Sequence, residues 1–205
     1  MDYSFHIYNK MASDGAAMAT DKLLRAHFLR KQRKEALESE HTEALASKPP
    51  VIVCVGSDLA IGDSLGPITG SMLQYKTQGL GVFVYGTLAS PVTAKEIGYT
   101  RAFLKETHAD SQILAIDAAV GEKGDIGLIR ITDSPLFPGA GANKKLGSLG
   151  DVSIMGIVAE KSLANYGLLN TTRLNLVYTM SEIISEAIAS LLWERTSSYK
   201  SLKNA

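Results

Sequence analysis

The chain has one cysteine, no surplus of either charge and no apolar run long enough to cross a bilayer. Each shortage removes a class of protein. A lone cysteine cannot form an internal disulfide, so nothing calls for an oxidising compartment. Cys54 lies inside the apolar run Val51–Val55 and reads as a small buried hydrophobe, not a nucleophile. The 21 basic residues are matched by 21 acidic ones, which removes the usual support for nucleic-acid or membrane-surface binding. The stretch MDYSFHIYNKMASDG has neither the basic start nor the apolar core of a secretory signal. A cytoplasmic protein with no nucleic-acid and no membrane partner is expected; its oligomeric state is left open.

Catalytic motifs are sparse as well. There is no G-x-S-x-G elbow and no C-x-x-C pair, and GSDLAIG fits neither the dinucleotide fingerprint nor the P-loop. The four histidines, His6, His27, His41 and His108, all fall outside the expected strand-edge loops. His108 should finish a helix, where the dipole favours a cation. A Ser-His-Asp triad therefore lacks a base, and a His-rich zinc site lacks ligands. Carboxylate chemistry is what remains.

What is present is ordinary globular material, 45% apolar and 20% charged, with length for one domain. Residues 1–48 stand apart. The first nineteen carry no consistent period and suggest a loose arm. A helix is expected from Thr20, with Leu23, Leu24, His27 and Phe28 on one face. RKQRKEALESEHTEAL continues it as a solvated, charge-paired helix until Pro49-Pro50 ends it.

The core domain, residues 49–205, alternates strand and helix. Strands are expected at Val51 to Val55, Gly81 to Tyr85, Ser111 to Asp117, Ile126 to Thr132 and Val152 to Val158. Helices are expected at Pro67 to Tyr75, Pro91 to Thr107 and Leu174 to Trp193. The Gly121–Gly124 turn should fold the fourth strand back as an antiparallel hairpin. The pattern predicts a three-layer α/β/α sandwich on a mixed, mostly parallel sheet.

In such sheets ligands gather beyond the carboxyl ends of the strands. Two acids fall there: Asp63 in the loop after the first core strand, and Asp117 at the end of the third. If those strands are neighbours, the carboxylates converge. Each acid also has a purely structural use. Asp63 could cap the next helix, and Asp117 could tie down a turn through its own backbone. Asp58, Thr87 and Ser90, with Gly139, Gly141 and Asn143 of the glycine-rich 138–151 loop, are candidates for substrate contacts.

The run VCVGSDLAIGDSLGP, followed by VYGTLASPV, AIDAAVG, PGAGANK, GDVSIMGIV and NTTRL, resembles the YyaC family of sporulation proteins. That family is similar to the germination protease of spores and, more distantly, to the hydrogenase maturation endopeptidases. The resemblance spans about residues 50–192. It implies a phosphorylase/hydrolase-like α/β/α fold, a carboxylate-dependent peptidase or, alternatively, a non-catalytic peptide- or partner-binding protein that retains the fold, a protein or peptide substrate, and a sporulating cell or spore interior. In the germination protease one aspartate precedes an Ala-Leu-Gly-Pro run and another closes an Ile-Asp-Ala strand. Asp63 before Ser64-Leu65-Gly66-Pro67, and Asp117 in Ala115-Ile116-Asp117-Ala118, match those two positions. The hydrogenase endopeptidases add a histidine and hold a metal. Here Phe137 precedes Pro138-Gly139-Ala140-Gly141 and no histidine follows His108, so no cofactor is expected. A divalent ion on Asp63 and Asp117 would have to be a hard one, kept partly by water.

Overall fold

The computed structural model describes residues 1–35, 49–138, 147–161 and 172–203. Its strands are β1 (Asp2–His6), β2 (Val51–Cys54), β3 (Val84–Tyr85), β4 (Ile113–Gly121), β5 (Leu128–Thr132) and β6 (Val152–Glu160). Its α-helices are α1 (Ala12–Glu35), α2 (Leu65–Lys76), α3 (Ile97–Thr107) and α4 (Leu174–Lys203). The strands form one sheet in the order β1-β5-β6-β4-β2-β3. β2 runs parallel to β3 and β4, and β4 parallel to β6, while β5 is antiparallel to both β6 and β1.

Apolar residues on both parities of the central strands dictate the layering. Ile52 and Cys54 of β2, with Leu114 and Ile116 of β4, face a core shared with α1, α2 and α4. Val51, Val53 and Ala115 face the other way, against Ile97 and Leu104 of α3. The result is the expected α/β/α sandwich. Strands one and three of the sequence pattern, β2 and β4, are indeed direct neighbours, with Cys54 opposite Ile116.

Several boundaries and one pairing differ from expectation. β3 is only two residues long, because Gly79 and Gly81 take φ of +83° and +67° and keep the preceding chain out of the ladder. α3 begins at Ile97 rather than Pro91: Val92 bridges to Val55, and Glu96 accepts the Thr93 N–H in a local turn. β5 is antiparallel, as expected, but does not pair with β4. β6 lies between them. β6 is buried on both faces and suits the centre, whereas β5, with Arg130 half-exposed, suits a flank. The β4–β5 connection is a single 3-10 turn, Lys123–Asp125, closed by a capping box between Glu122 and Asp125.

The largest correction concerns the N-terminus. Residues 1–19 are not a loose arm. β1 pairs along its length with β5, and Tyr3, Phe5 and Ile7 pack on the main core. α1 starts at Ala12, eight residues before the expected Thr20, and buries Ala16, Ala19, Leu23 and Leu24. Alanines at four- and three-residue spacing carry a weak hydrophobic signal, but they allow close packing: a side chain at Gly15 would lie 2.4 Å from the Phe5 ring. Asp21 accepts from Arg195 at 2.9 Å and ties α1 to α4. The charged stretch is helical through Glu35, and residues 36–48 lie outside the described residues.

Leu24 is fully buried, so Leu24→Ala should cost about 2–5 kcal/mol in a urea melt. Deleting residues 1–48 should abolish the cooperative transition. A truncated chain melting like the full-length one would make this segment accessory after all.

Candidate active site

The geometry around Asp63 follows from where β2 stops. Val55 N–H still donates to Ile116 O at 2.7 Å, but Gly56 N–H turns to Val92 O at 3.0 Å, and the chain leaves the sheet. Gly56 has φ +140°, and a Cβ there would sit 2.1 Å from the Asp63 carbonyl oxygen. The loop closes on itself when Ser57 N–H donates to Asp63 O at 3.1 Å. Gly66 then lets the first turn of α2 lie on the end of β2, since a Cβ would be 1.9 Å from Val55 O. Pro67 fits the same first turn because a helix start needs no N–H there. Spacing in Gly62-Asp63-Ser64-Leu65-Gly66-Pro67 is thus a packing requirement that fixes where Asp63 stands.

Asp63 is half-buried in a 3-10 turn, Gly62–Ser64, that packs beside β4. It does not cap α2. Ser64 holds the cap position, and its hydroxyl donates back to Ile61 O at 2.6 Å. Burial pushes the Asp63 carboxyl above the usual range, and the Ser57 backbone N–H pulls partly against that.

Asp117 is not the last residue of its strand, since β4 runs on to Gly121. It is the first residue beyond the stretch paired with β2. The side chain is 8% exposed. Burial raises its pKa well above the ordinary carboxylate value, the charge of Asp63 raises it further, and the Ala118 N–H, donating to Oδ1 at 2.8 Å, opposes both. That last bond is the backbone tie expected of such an aspartate, made along a strand instead of in a turn. No cation is among the groups that shift either acid. The turn carrying Asp63 thus packs beside β4, and the charge of Asp63 adds to burial in holding the deeper Asp117 toward its protonated form.

The other candidates fare unevenly. Thr87 and Ser90 exchange backbone hydrogen bonds of 3.1 Å, and Ser90 N–H also reaches Thr87 Oγ1 at 3.2 Å. They close the turn after β3, where Thr87 is buried and Ser90 exposed. Gly86, with φ +84°, makes that turn possible beside Cys54 O. Asp58 is exposed on the loop after β2. Gly139, Gly141 and Asn143 lie outside the described residues; the flanks of their loop are joined by a Leu136–Leu149 bridge. Ser57 was invisible to motif reading because it acts through its backbone N–H. Cys54 is buried, and burial drives its thiol pKa far up, which fits an inert core residue.

His6 lies against Ile126 O, His27 faces Asp151 at 3.4 Å and His108 bonds the Tyr85 hydroxyl at 2.8 Å; none of them shifts either acid. Among the described residues no group of three or more His, Cys, Asp or Glu side chains could hold a metal. Among the described residues, no histidine joins Asp63 and Asp117 in a donor set like the histidine-containing metal site of the hydrogenase endopeptidases. A cleft of about 1270 Å³ lies elsewhere, at the amino ends of β4 and β6, with Arg30, Arg101, Lys105 and Asp151 in its wall.

Among solved structures, a [NiFe] hydrogenase maturation protease HycI from Thermococcus kodakarensis KOD1 is similar at 17% identity, covering 73% of this chain and 96% of that one, with a TM-score of 0.45. The protein YyaC of Bacillus subtilis (strain 168), described as uncharacterized, is 39% identical over 166 residues, 81% of this chain and 79% of that protein. Residues 26–187 match the family described as "Protein of unknown function (DUF1256)". With both findings covering most of the sequence, core and acid pair included, the chain belongs to the DUF1256 family and is a relative of YyaC.

Proposed function

We propose that the chain is a carboxylate-dependent peptidase that cleaves a protein substrate, working in sporulating cells as the motif resemblance implies. The reading is carried by a buried acid, Asp117, in a strand that the turn bearing a second carboxylate, Asp63, packs against, with no cation among the groups that shift it and the Asp63 charge raising its pKa. Two such groups share one proton at working pH, as in other carboxylate pairs. Asp117, the more deeply buried, keeps the proton; Asp63, nearer solvent, stays ionised.

The chemistry then balances. Water attacks the peptide carbonyl carbon, its proton passes to Asp63, and Asp117 gives its proton to the carbonyl oxygen. When the tetrahedral diol collapses, the C–N bond breaks and the leaving amine takes the proton from Asp63. The diol hydroxyl returns a proton to Asp117. No step is routed through a metal.

Cleavage should follow a bell-shaped pH profile, falling at low pH as Asp63 is protonated and at high pH as Asp117 loses its proton. Asp63→Asn and Asp117→Asn, both near-isosteric, should each lower cleavage of a labelled peptide library by about 10²- to 10⁴-fold. Chelator should have no effect. Near-stoichiometric zinc or nickel that disappears in both variants would overturn the mechanism, and a complete lack of cleavage would favour a binding role for the same crevice.

Stability gives a second test. Because the folded pKa of Asp117 is raised, its contribution is greatest below the unfolded carboxylate range and is lost as pH rises through the folded value. Asp117→Asn, mimicking the neutral acid, should therefore melt higher than wild type on the alkaline side and show a flatter Tm–pH curve. Each kcal/mol gained would appear as about 2–4 °C in a domain of this size. Equal Tm–pH slopes for the two proteins would contradict a buried, proton-holding Asp117.

A further inference from the structure

We propose that the edge of β4 beyond Ile116 binds an extended polypeptide segment by main-chain pairing, laying it alongside the two acids. The proposal deepens the peptidase reading and rests on it for the fate of the bound segment. It starts from an asymmetry in the sheet. β4 pairs with β6 along almost its whole length, from Leu114 to Gly121, but with β2 only from Ile113 to Ile116. β2 then turns away at Gly56, so among the described residues half of β4 has a strand neighbour on one side only.

Backbone direction on this half-edge follows from bonds on either side. Ile116 O accepts from Val55 N–H and so faces β2. Gly121 O accepts from Lys161 N–H and so faces β6. The irregularity at Ala119/Val120 falls on the β6 side, where two residues of β4 span Ile157 to Ala159. Alternation then turns the main-chain groups of Ala118 and Val120 toward the space that β2 has left. Ala118 N–H is taken by the Asp117 carboxylate at 2.8 Å. Ala118 O, Val120 N–H and Val120 O have no backbone partner among the described residues.

Such a row of one donor between two acceptors is complementary to another strand and to little else. Ala118 to Gly121 are each partly exposed, and no described strand covers them on the side that β2 leaves. At one end of the row stands Asp117, and the turn carrying Asp63 packs against the same strand. The residues just before that turn, Leu59 and Ile61, are 91% and 38% exposed and offer apolar surface to the side chains of a bound segment. A segment paired here has its peptide groups held in a fixed register next to the carboxylates, which is the positioning that hydrolysis of an amide needs. The partner is a polypeptide in extended form, recognised mainly through its backbone.

Two measurements test this on the full chain. In the ¹⁵N-labelled free protein, the Val120 amide should exchange at least about a hundredfold faster than that of Ile116, as an unpaired edge must. A Val120 amide protected as well as that of Ile116 would show the edge already covered and overturn the proposal. Random decapeptides are then screened on an array against the Asp63→Asn variant, and binders resynthesised with N-methyl groups on either alternate set of amides. Strand pairing predicts that one set weakens binding about tenfold or more and the other leaves it unchanged. Equal effects of both sets, or no binding decapeptide, would overturn it. Binders showing the alternation that wild-type protein fails to cleave would remove the peptidase reading and leave the docking edge standing.

Discussion

Backbone lying directly on backbone, where α2 crosses the carboxyl end of β2, is the contact on which the site depends. Gly66 makes it, and three more glycines close the backbone around it. Side chains at Gly56, Gly66, Gly70 and Gly86 would each come within 2.1 Å of a carbonyl oxygen, those of Asp63, Val55, Gly86 and Cys54 respectively. Contacts that short cannot be relieved by rotating a side chain, because the obstructing atom is itself main chain. The crossing shortens β2, sets the turn that carries Asp63, and leaves Asp117 as the first residue of β4 without β2 beside it. One steric constraint thus both places the two carboxylates and opens the strand edge next to them.

The electrostatics follow from that placement. A carboxylate in an apolar sheet usually gains a cation or several N–H donors. Three other acids do pair with cations: Asp21 with Arg25 and Arg195, Asp125 with Arg130, and Asp133 with Arg30 and the N-terminal ammonium. Asp117 has one backbone N–H and a second negative charge instead. Keeping its proton is the low-energy answer to that environment, and a neutral carboxylic acid beside an ionised one is a reactive arrangement. The contrast between these paired acids and the buried Asp117 is what supports a chemical role for it.

Reading the sequence recovered what strong apolar periodicity writes. The run Val51–Val55 announced a strand covered on both faces, and the Gly-Asp-Ser-Leu-Gly-Pro and Ala-Ile-Asp-Ala stretches marked both acids. The N-terminal packing was hidden because α1 buries alanines, whose small side chains barely register as a hydrophobic face. The place of β6 between β4 and β5 was hidden for another reason. Strand order depends on which strands are buried on both faces, and a short turn between β4 and β5 gave a local signal for a hairpin that the sheet as a whole outweighed. Ser57 and the Ala118–Val120 edge act through main-chain atoms, which no residue motif encodes.

Asp63 and Asp117 are proposed to form one coupled titrating unit with the proton on Asp117. Titrating ¹³C-labelled aspartate side chains by NMR across acid to alkaline pH measures this directly. Asp117 should titrate well above the ordinary aspartate value of about 3.9, and Asp63→Asn should bring its midpoint down, because the Asp63 charge helps to hold it up. Both acids titrating independently near the ordinary value, with Asp117 indifferent to Asp63→Asn, would contradict the account.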